Sequence, residues 1–319
     1  MAYPALYVSR LLPEPVMAAI RQRFRLTAVP DTSPPSRQRL TEGLQEAEAA
    51  ICTLTERIDE ELLQAAPRLR VIANCAVGFN NIALEAARAR GIVVTNTPEV
   101  LTEATADLTW ALLLAVSRRI PEGDRLVRSG AWKGWEPTQL LGAEVSCQTL
   151  GIVGMGRIGT AVARRAAGFG MAVVYCREGP DIRPDLDPRW ERLPLDDLLT
   201  RSDFVSLHVP LTPETHHLIG EPQLRRMRPS GFLINTSRGP VVDEAALVRA
   251  LQEGWLAGAG LDVYEQEPVV HPGLRELQQV VLLPHLGSAT LGTRIRMGML
   301  CVDNIAAVLE GRQAPNQIT

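Results

Sequence analysis

At 319 residues the chain is long enough for two domains, each with its own core. A balance of 33 Lys and Arg against 36 Asp and Glu gives a net charge of -3, which leaves no basic face for a phosphodiester backbone or an anionic lipid surface, so small molecules are the expected partners. The five cysteines are odd in number, scattered and without a CxxC pair, which fits reduced thiols in a cytoplasm and argues against a zinc site.

The N-terminus, Met1-Ala2-Tyr3-Pro4-Ala5-Leu6, has no basic patch leading into an apolar core, and Arg10, Pro13 and Pro15 arrive early, so no export signal is expected. Up to residue 98, short apolar runs alternate with helical patterns. Strands are expected at 5–8, 26–29, 49–52, 69–73 and 91–94, with helices after Pro13, near 38–45, at 59–66 and at 82–90. Strands this short and apolar, separated by helices, indicate a parallel sheet covered on both faces. After Asn96-Thr97-Pro98 a helical pattern runs over 103–119. Its apolar stretch 108–116, between Asp107 and Arg118-Arg119, is about half a membrane span and reads as a buried helix. A polar stretch holding Trp132, Gly134, Trp135 and Pro137 follows, and the first crossing between domains is expected there.

Residues 149–159 begin a second α/β run. Here an apolar strand pattern breaks into Gly154-x-Gly156-x-x-Gly159. The glycines would give a tight turn, close backbone approach to a pyrophosphate, and close packing of the next helix on the strand. The helix-forming segment 160–167 would then turn its free N–H groups and dipole toward the bound anion. A bare glycine pattern can be an ordinary tight turn, but the strand before it, the helix after it and the second strand Ala172-Val173-Val174-Tyr175 favour dinucleotide binding. Further strands are expected at 204–207, 231–235, 257–261 and 280–283, with helices at 195–200, 222–227 and 244–253, making a six-stranded nucleotide sheet. A helical tail over 293–310 is expected to return to the first domain. The expected architecture is two Rossmann-like α/β domains: a discontinuous substrate domain of residues 1–98 and 288–319, and a doubly wound dinucleotide-binding domain of residues 99–287, with a cleft and hinge between them.

In open α/β sheets ligands bind at the carboxyl ends of the strands. Three such ends carry reactive groups: Asn235-Thr236-Ser237-Arg238-Gly239, then Asp262-Val263-Tyr264-Glu265-Gln266-Glu267-Pro268, then Pro284-His285-Leu286-Gly287-Ser288-Ala289. An arginine, a carboxylate and a histidine beside a nicotinamide suit the reduction of a 2-oxo acid: a guanidinium grips the carboxylate and an imidazolium protonates the oxygen. Glu265 rivals Glu267 as the carboxylate. Of the other histidines, His216 and His217 are expected to point to different sides of a loop, His271 to be structural, and His208 to line the adenine side.

The second strand of the nucleotide unit ends Val174-Tyr175-Cys176-Arg177-Glu178, with Arg177 where NAD-specific proteins place an acid for the ribose 2′-OH. A guanidinium there would bind a 2′-phosphate, so NADP(H) is expected over NAD(H), which stays open as the second cofactor. In the alternative, Glu178 turns inward to serve the ribose and Arg177 is merely solvated.

These motifs cover the whole chain and resemble those of the D-2-hydroxyacid dehydrogenases, most closely the glyoxylate/hydroxypyruvate reductases. The nearer likeness rests on Ala76-Val77-Gly78-Phe79-Asn80-Asn81, Gly134-Trp135-Glu136-Pro137, and Ser288-Ala289-Thr290 with Thr293-Arg294. The resemblance implies a flavodoxin-like substrate domain, Arg238 on the substrate carboxylate and carbonyl, His285 as proton donor, and Glu267, which precedes a proline as in the family, holding His285 in its charged form. It implies that Val77 and Gly78 offer backbone N–H groups to the carboxylate and that Ser288 also meets substrate. It further implies a homodimer in which Trp135 reaches the partner's active site. The implied cofactor residues are Thr105, Gly154, Gly156, Arg157, Ile158, Gly159, Cys176, Arg177, His208, Pro210, Thr215, Thr236, Ser237, Arg238, Asp262, His285 and Gly287, with Asp262 near the nicotinamide.

A dinucleotide-sensing corepressor of similar fold keeps the same kinds of residue, but its disordered extensions are not expected in a chain that ends at Thr319 soon after the last helix. Among sister enzymes, phosphoglycerate dehydrogenases often add a regulatory domain, formate dehydrogenases carry glutamine at the Glu267 position, and phosphite dehydrogenases carry a lysine within the stretch matching Cys75-Ala76-Val77-Gly78. A dehydrogenase for a bulkier 2-oxo acid remains an alternative.

Overall fold

The computed structural model describes residues 3–179 and 186–319, so Met1 and Ala2 of the N-terminal reading lie outside the described residues. Two compact units are present, Met1–Leu101 with Ser288–Thr319, and Thr102–Gly287.

The first unit runs β1 (Ala5–Val8), α1 (Glu14–Arg23), β2 (Arg25–Leu26), α2 (Arg37–Gln45), β3 (Ala49–Cys52), α3 (Glu60–Gln64), β4 (Val71–Asn74), α4 (Leu84–Ala89) and β5 (Val93–Thr95). Its strands are parallel in the order β2-β1-β3-β4-β5, the flavodoxin-like order. β2 is shorter than the apolar run 26–29 suggests: the Thr27 hydroxyl donates to the Gly43 carbonyl at 2.8 Å and Val29 is 83% exposed, so the chain has already left the sheet. Helices α2 and α3 start where Ser36 and Asp59 accept hydrogen bonds from backbone N–H groups of the first turn.

The second unit opens with α5 (Thr102–Ser117) and α6 (Ile120–Arg128), then β6 (Thr149–Val153), α7 (Arg157–Ala166), β7 (Ala172–Cys176), β8 (Glu191–Arg192), α8 (Leu195–Arg201) and β9 (Phe204–Leu207). It continues with α9 (Glu221–Leu224), β10 (Phe232–Asn235), α10 (Glu244–Gln252), β11 (Gly258–Leu261), α11 (Pro272–Glu276) and β12 (Val280–Leu282), after which α12 (Leu291–Leu309) belongs to the first unit. The strands pair in parallel as β12-β11-β10-β9-β6-β7-β8. This is a doubly wound sheet whose strand order reverses between β6 and β9, the position where such sheets bind ligands. It has seven strands among the described residues rather than six. The seventh, β8, is a two-residue edge strand too short to show a period.

Alternation along the strands explains why they read as unbroken apolar runs. On β10, Phe232 and Ile234 join one buried cluster with Trp110 and Leu113, while Leu233 joins another with Leu247 and Leu198. Both faces are therefore covered, and burying a side chain such as Leu233 contributes about 1.5–3 kcal/mol. Helix α5 presents Thr105, Ala106, Thr109, Trp110, Leu112, Leu113 and Val116 as its buried stripe, the spacing of one helical face. By contrast α6 buries none of its residues. Among the described residues no helix is long and apolar enough to cross a membrane.

Candidate active site

The glycine turn follows β6. Gly154 has φ +97°, and a Cβ there would sit 2.7 Å from the carbonyl carbon and oxygen of His208, so only glycine fits between the ends of β6 and β9. Its N–H donates to the Cys176 carbonyl at 3.0 Å, which ties the turn to the end of β7. At Gly159 a Cβ would come 2.2 Å from the Gly154 oxygen, whereas at Gly156 it would meet nothing within 4 Å. A shallow cradle is left at the start of α7, where Arg157 and Ile158 begin the helix and its N-terminal dipole favours an anion. The residues present thus fit a dinucleotide pyrophosphate.

Of the residues expected toward the adenosine, burial pulls the His208 imidazole down to about 3, and its Nε2 lies 2.8 Å from the Ser206 hydroxyl. Thr215 closes the neighbouring loop by donating its hydroxyl to the Pro210 carbonyl at 2.6 Å. Burial raises the Cys176 thiol to about 11, with opposing contributions from the Gly154 N–H and the Arg192 charge. Arg177 is half-buried, and its Nε donates to the Glu178 carbonyl at 3.0 Å while Glu178 itself is exposed.

The loop after β10 is shaped by buried Asn235. Its Oδ1 accepts from the N–H and the hydroxyl of Ser237 at 3.0 and 2.8 Å, and its Nδ2 donates to the Arg238 carbonyl at 2.9 Å. The Thr236 hydroxyl lies 2.9 Å from that of Thr109 on α5. Two implied cofactor residues, Thr236 and Ser237, therefore engage their hydroxyls within the protein. Gly239 then lies against the loop after β11, where a Cβ would come 1.8 Å from the Tyr264 carbonyl carbon.

That loop separates the two rival carboxylates. Glu265 accepts from the Glu244 N–H at 2.8 Å, and its Oε1 lies 3.1 Å from His217 Nε2. Glu267 places Oε2 2.9 Å and Oε1 3.2 Å from His285 Nδ1, and Oε1 also accepts from the Tyr264 N–H at 3.1 Å. Burial pushes the Glu267 carboxyl up, but the His285 hydrogen bond and charge, the Tyr264 N–H and Arg238 outweigh it and hold the group below its ordinary range. Burial lowers the Arg238 guanidinium from its ordinary value, and the Glu267 charge opposes that shift.

His285 follows β12 with φ +56°, a left-handed conformation that costs about 1–3 kcal/mol in a non-glycine residue unless its surroundings impose it. Asp262 imposes it. The Asp262 carbonyl accepts from the His285 N–H at 3.0 Å, while its carboxylate takes the N–H groups of Leu286 at 2.6 Å and Gly287 at 2.8 Å. Burial raises the Asp262 carboxyl from its ordinary value, against these N–H groups and the His285 charge. A Cβ on Gly287 would lie 3.4 Å from both Asp262 Oδ2 and Thr105 Cγ2, so Thr105, Asp262 and Gly287 meet as neighbours.

The remaining expected residues stand as follows. Val77 and Gly78 lie after β4, their carbonyls accepting from Asn96 Nδ2 and Asn74 Nδ2, each at 2.8 Å, and Ser288 opens the returning segment of that unit. Trp135 is 82% exposed. His271 caps α11 through Nδ1, which accepts from the Gly273 N–H at 3.2 Å. The pair His216 and His217 departs from expectation: their rings do not diverge but stack with centroids 4.1 Å apart, because His217 turns toward Glu265.

A doubly wound sheet with a glycine cradle at its switch point, and an arginine beside a carboxylate–imidazole pair at neighbouring strand ends, defines a dinucleotide-dependent oxidoreductase. Residues 110–287 match the family described as "D-isomer specific 2-hydroxyacid dehydrogenase, NAD binding domain". The glyoxylate reductase of Korarchaeum cryptofilum (strain OPF8) is 51% identical, over 99% of this chain and 96% of that protein. A crystal structure of a Thermus thermophilus protein matches with a TM-score of 0.93 at 47% identity, covering 99% of this chain and 100% of that one. The NADPH-dependent glyoxylate/hydroxypyruvate reductase of Sinorhizobium meliloti, solved with NADP and malonate, matches with a TM-score of 0.87 at 35% identity, covering 100% of this chain and 97% of that one. The chain belongs to the D-isomer specific 2-hydroxyacid dehydrogenase family.

Proposed function

We propose that the chain is an NADP(H)-preferring glyoxylate/hydroxypyruvate reductase, converting a small 2-oxo acid to the D-2-hydroxy acid, that is, glycolate or D-glycerate. The observation that carries this reading is the 2.9 Å contact between His285 Nδ1 and Glu267, on a loop in close contact with the one bearing Arg238. The reduced nicotinamide, when bound, supplies the hydride for the carbonyl carbon. His285 Nε2, the ring nitrogen turned away from Glu267, delivers the proton to the carbonyl oxygen. The Glu267 carboxylate offsets the positive charge of the ring and fixes its orientation. The Arg238 guanidinium is matched to the substrate carboxylate, which it binds through two parallel N–H donors.

In this reading the unit Thr102–Gly287 binds the cofactor and the unit Met1–Leu101 with Ser288–Thr319 serves as the substrate domain. The names of the similar proteins from Korarchaeum cryptofilum and Sinorhizobium meliloti support the substrate class. Arg177, rather than an acid, following β7 supports NADPH, as does the exposure of Glu178. The exposed Trp132 and Trp135 and the unburied helix α6 support a homodimer. The free cysteines Cys52, Cys75, Cys147, Cys176 and Cys301 support a cytoplasmic setting. A kinetic panel of glyoxylate, hydroxypyruvate, pyruvate and bulkier 2-oxo acids, each with NADPH and NADH, tests the reading. The highest kcat/KM is expected for glyoxylate or hydroxypyruvate with NADPH, and a better kcat/KM with NADH would refute the cofactor assignment.

A further inference from the structure

The edge strand β8 places a second guanidinium at the end of β7. The parallel register sets Arg192 opposite Tyr175, and Arg192 Nη2 donates to the Arg177 carbonyl at 2.8 Å and to the Gly179 carbonyl at 3.3 Å. Arg177 Nε takes the intervening carbonyl, that of Glu178. All three carbonyls of the turn 177–179 are thus tied to guanidinium groups. Gly179 has φ +92°, and a Cβ on it would approach Arg177 Nη2 to 3.2 Å, so the turn and the Arg177 side chain fit closely together. The residue before the turn, Cys176, accepts from the Gly154 N–H, which places the turn beside the phosphate cradle.

Arg177 Nη1 is buried and has no hydrogen-bond partner among the described residues. A buried guanidinium N–H in that position calls for an acceptor, and an anion supplies the strongest kind. A long arginine side chain beside a cofactor site is selective only if its rotamer is held before the ligand arrives.

We propose that Arg192 is a positioning residue for selection of the 2′-phosphorylated cofactor: by pinning the carbonyls of Arg177 and Gly179 it holds Arg177 ready for the 2′-phosphate and adds a second positive charge beside it. This inference rests on the NADP(H) preference proposed above. A residue that only stapled the edge strand would affect phosphorylated and unphosphorylated nucleotides alike.

The test is calorimetric titration of the full chain with adenosine 2′,5′-bisphosphate and with AMP, for wild type, Arg192→Ala and Arg192→Lys. The wild type should prefer the bisphosphate. Arg192→Ala should weaken bisphosphate binding about tenfold while AMP stays within about twofold, and Arg192→Lys, which keeps the charge, should retain most of the preference. If Arg192→Ala does not fold, as judged by circular dichroism, Arg192→Gln carries the same comparison. Unchanged selectivity in the neutral variant, or equal weakening of both ligands, overturns the role of Arg192 and leaves the NADPH assignment standing. A wild type without preference for the bisphosphate overturns the cofactor assignment and this inference with it.

Discussion

Replacing Gly239 with alanine should separate the two loops that carry the reactive groups. The added Cβ would lie 1.8 Å from the Tyr264 carbonyl carbon, 1.9 Å from its oxygen and 2.4 Å from the Glu265 nitrogen, and ordinary contact begins at 3.4 Å. The loops must therefore part by 3.4 − 1.8 = 1.6 Å, and because every atom struck is backbone, no rotamer change relieves the clash. Arg238 is the neighbouring residue on one loop and Glu267 lies three positions beyond Tyr264 on the other, so their geometry shifts with the backbone. A misplacement of about 1 Å costs about 10²-fold in rate, so kcat/KM for glyoxylate with NADPH should fall by about 10²–10³. Overpacking of this kind also costs about 1–3 kcal/mol, a fall of a few degrees in thermal midpoint. The assay is steady-state reduction alongside cofactor Kd and circular dichroism. A folded variant with cofactor affinity intact and kcat/KM within about twofold of wild type would refute the coupling of the loops.

Arg238→Lys keeps the charge but loses the planar fork, and since a hydrogen bond to a charged group is worth about 1.5–3 kcal/mol, KM for the 2-oxo acid should rise about 10- to 100-fold. An unchanged KM would assign the carboxylate to other donors. His208 gives an acid-side signature. Its folded value is lowered to about 3 from 6.5, so between those values the unfolded chain binds a proton that the folded chain does not. Stability therefore falls as pH drops below 6.5 toward 3, by about 1.4 kcal/mol per pH unit from this group. His208→Gln should reduce that slope in urea melts below neutral pH, the difference approaching one proton near pH about 5, and identical pH dependence in both proteins would contradict the assignment.

Much of this architecture is visible in one dimension because it is built from local pattern. The inner strands of both sheets are short, largely buried apolar runs, and the turn Gly154 to Gly159 has a spacing imposed by backbone contact, so each carries its own signal. The same holds for Arg238, Glu267 and His285, which follow successive strands where an open sheet gathers its ligands. What escapes the sequence is contact between segments distant along the chain. Asp262 is expected near the nicotinamide, and nothing in the sequence shows that it accepts from the N–H groups of Leu286 and Gly287 and sets the left-handed turn of His285. Gly239 gives no local sign that it faces Tyr264. Strand β8 exists through its pairing with β7 and, at two residues, imposes no period on the sequence. Asn235 is the most legible of the missed residues, since an asparagine leaving a strand two positions before a serine fits a side-chain-closed turn.

The central claim is that His285, oriented by Glu267, is the acid of an NADPH-dependent 2-oxo acid reduction. Its most direct test is the rate of NADPH oxidation in the presence of glyoxylate by wild type and by His285→Ala, with NADPH Kd measured for both. The wild type should turn over, and the variant should be about 10²–10⁴ slower with NADPH binding within about twofold. A wild type that binds NADPH but does not oxidise it with any 2-oxo acid, or a His285→Ala variant as fast as wild type, would contradict the claim.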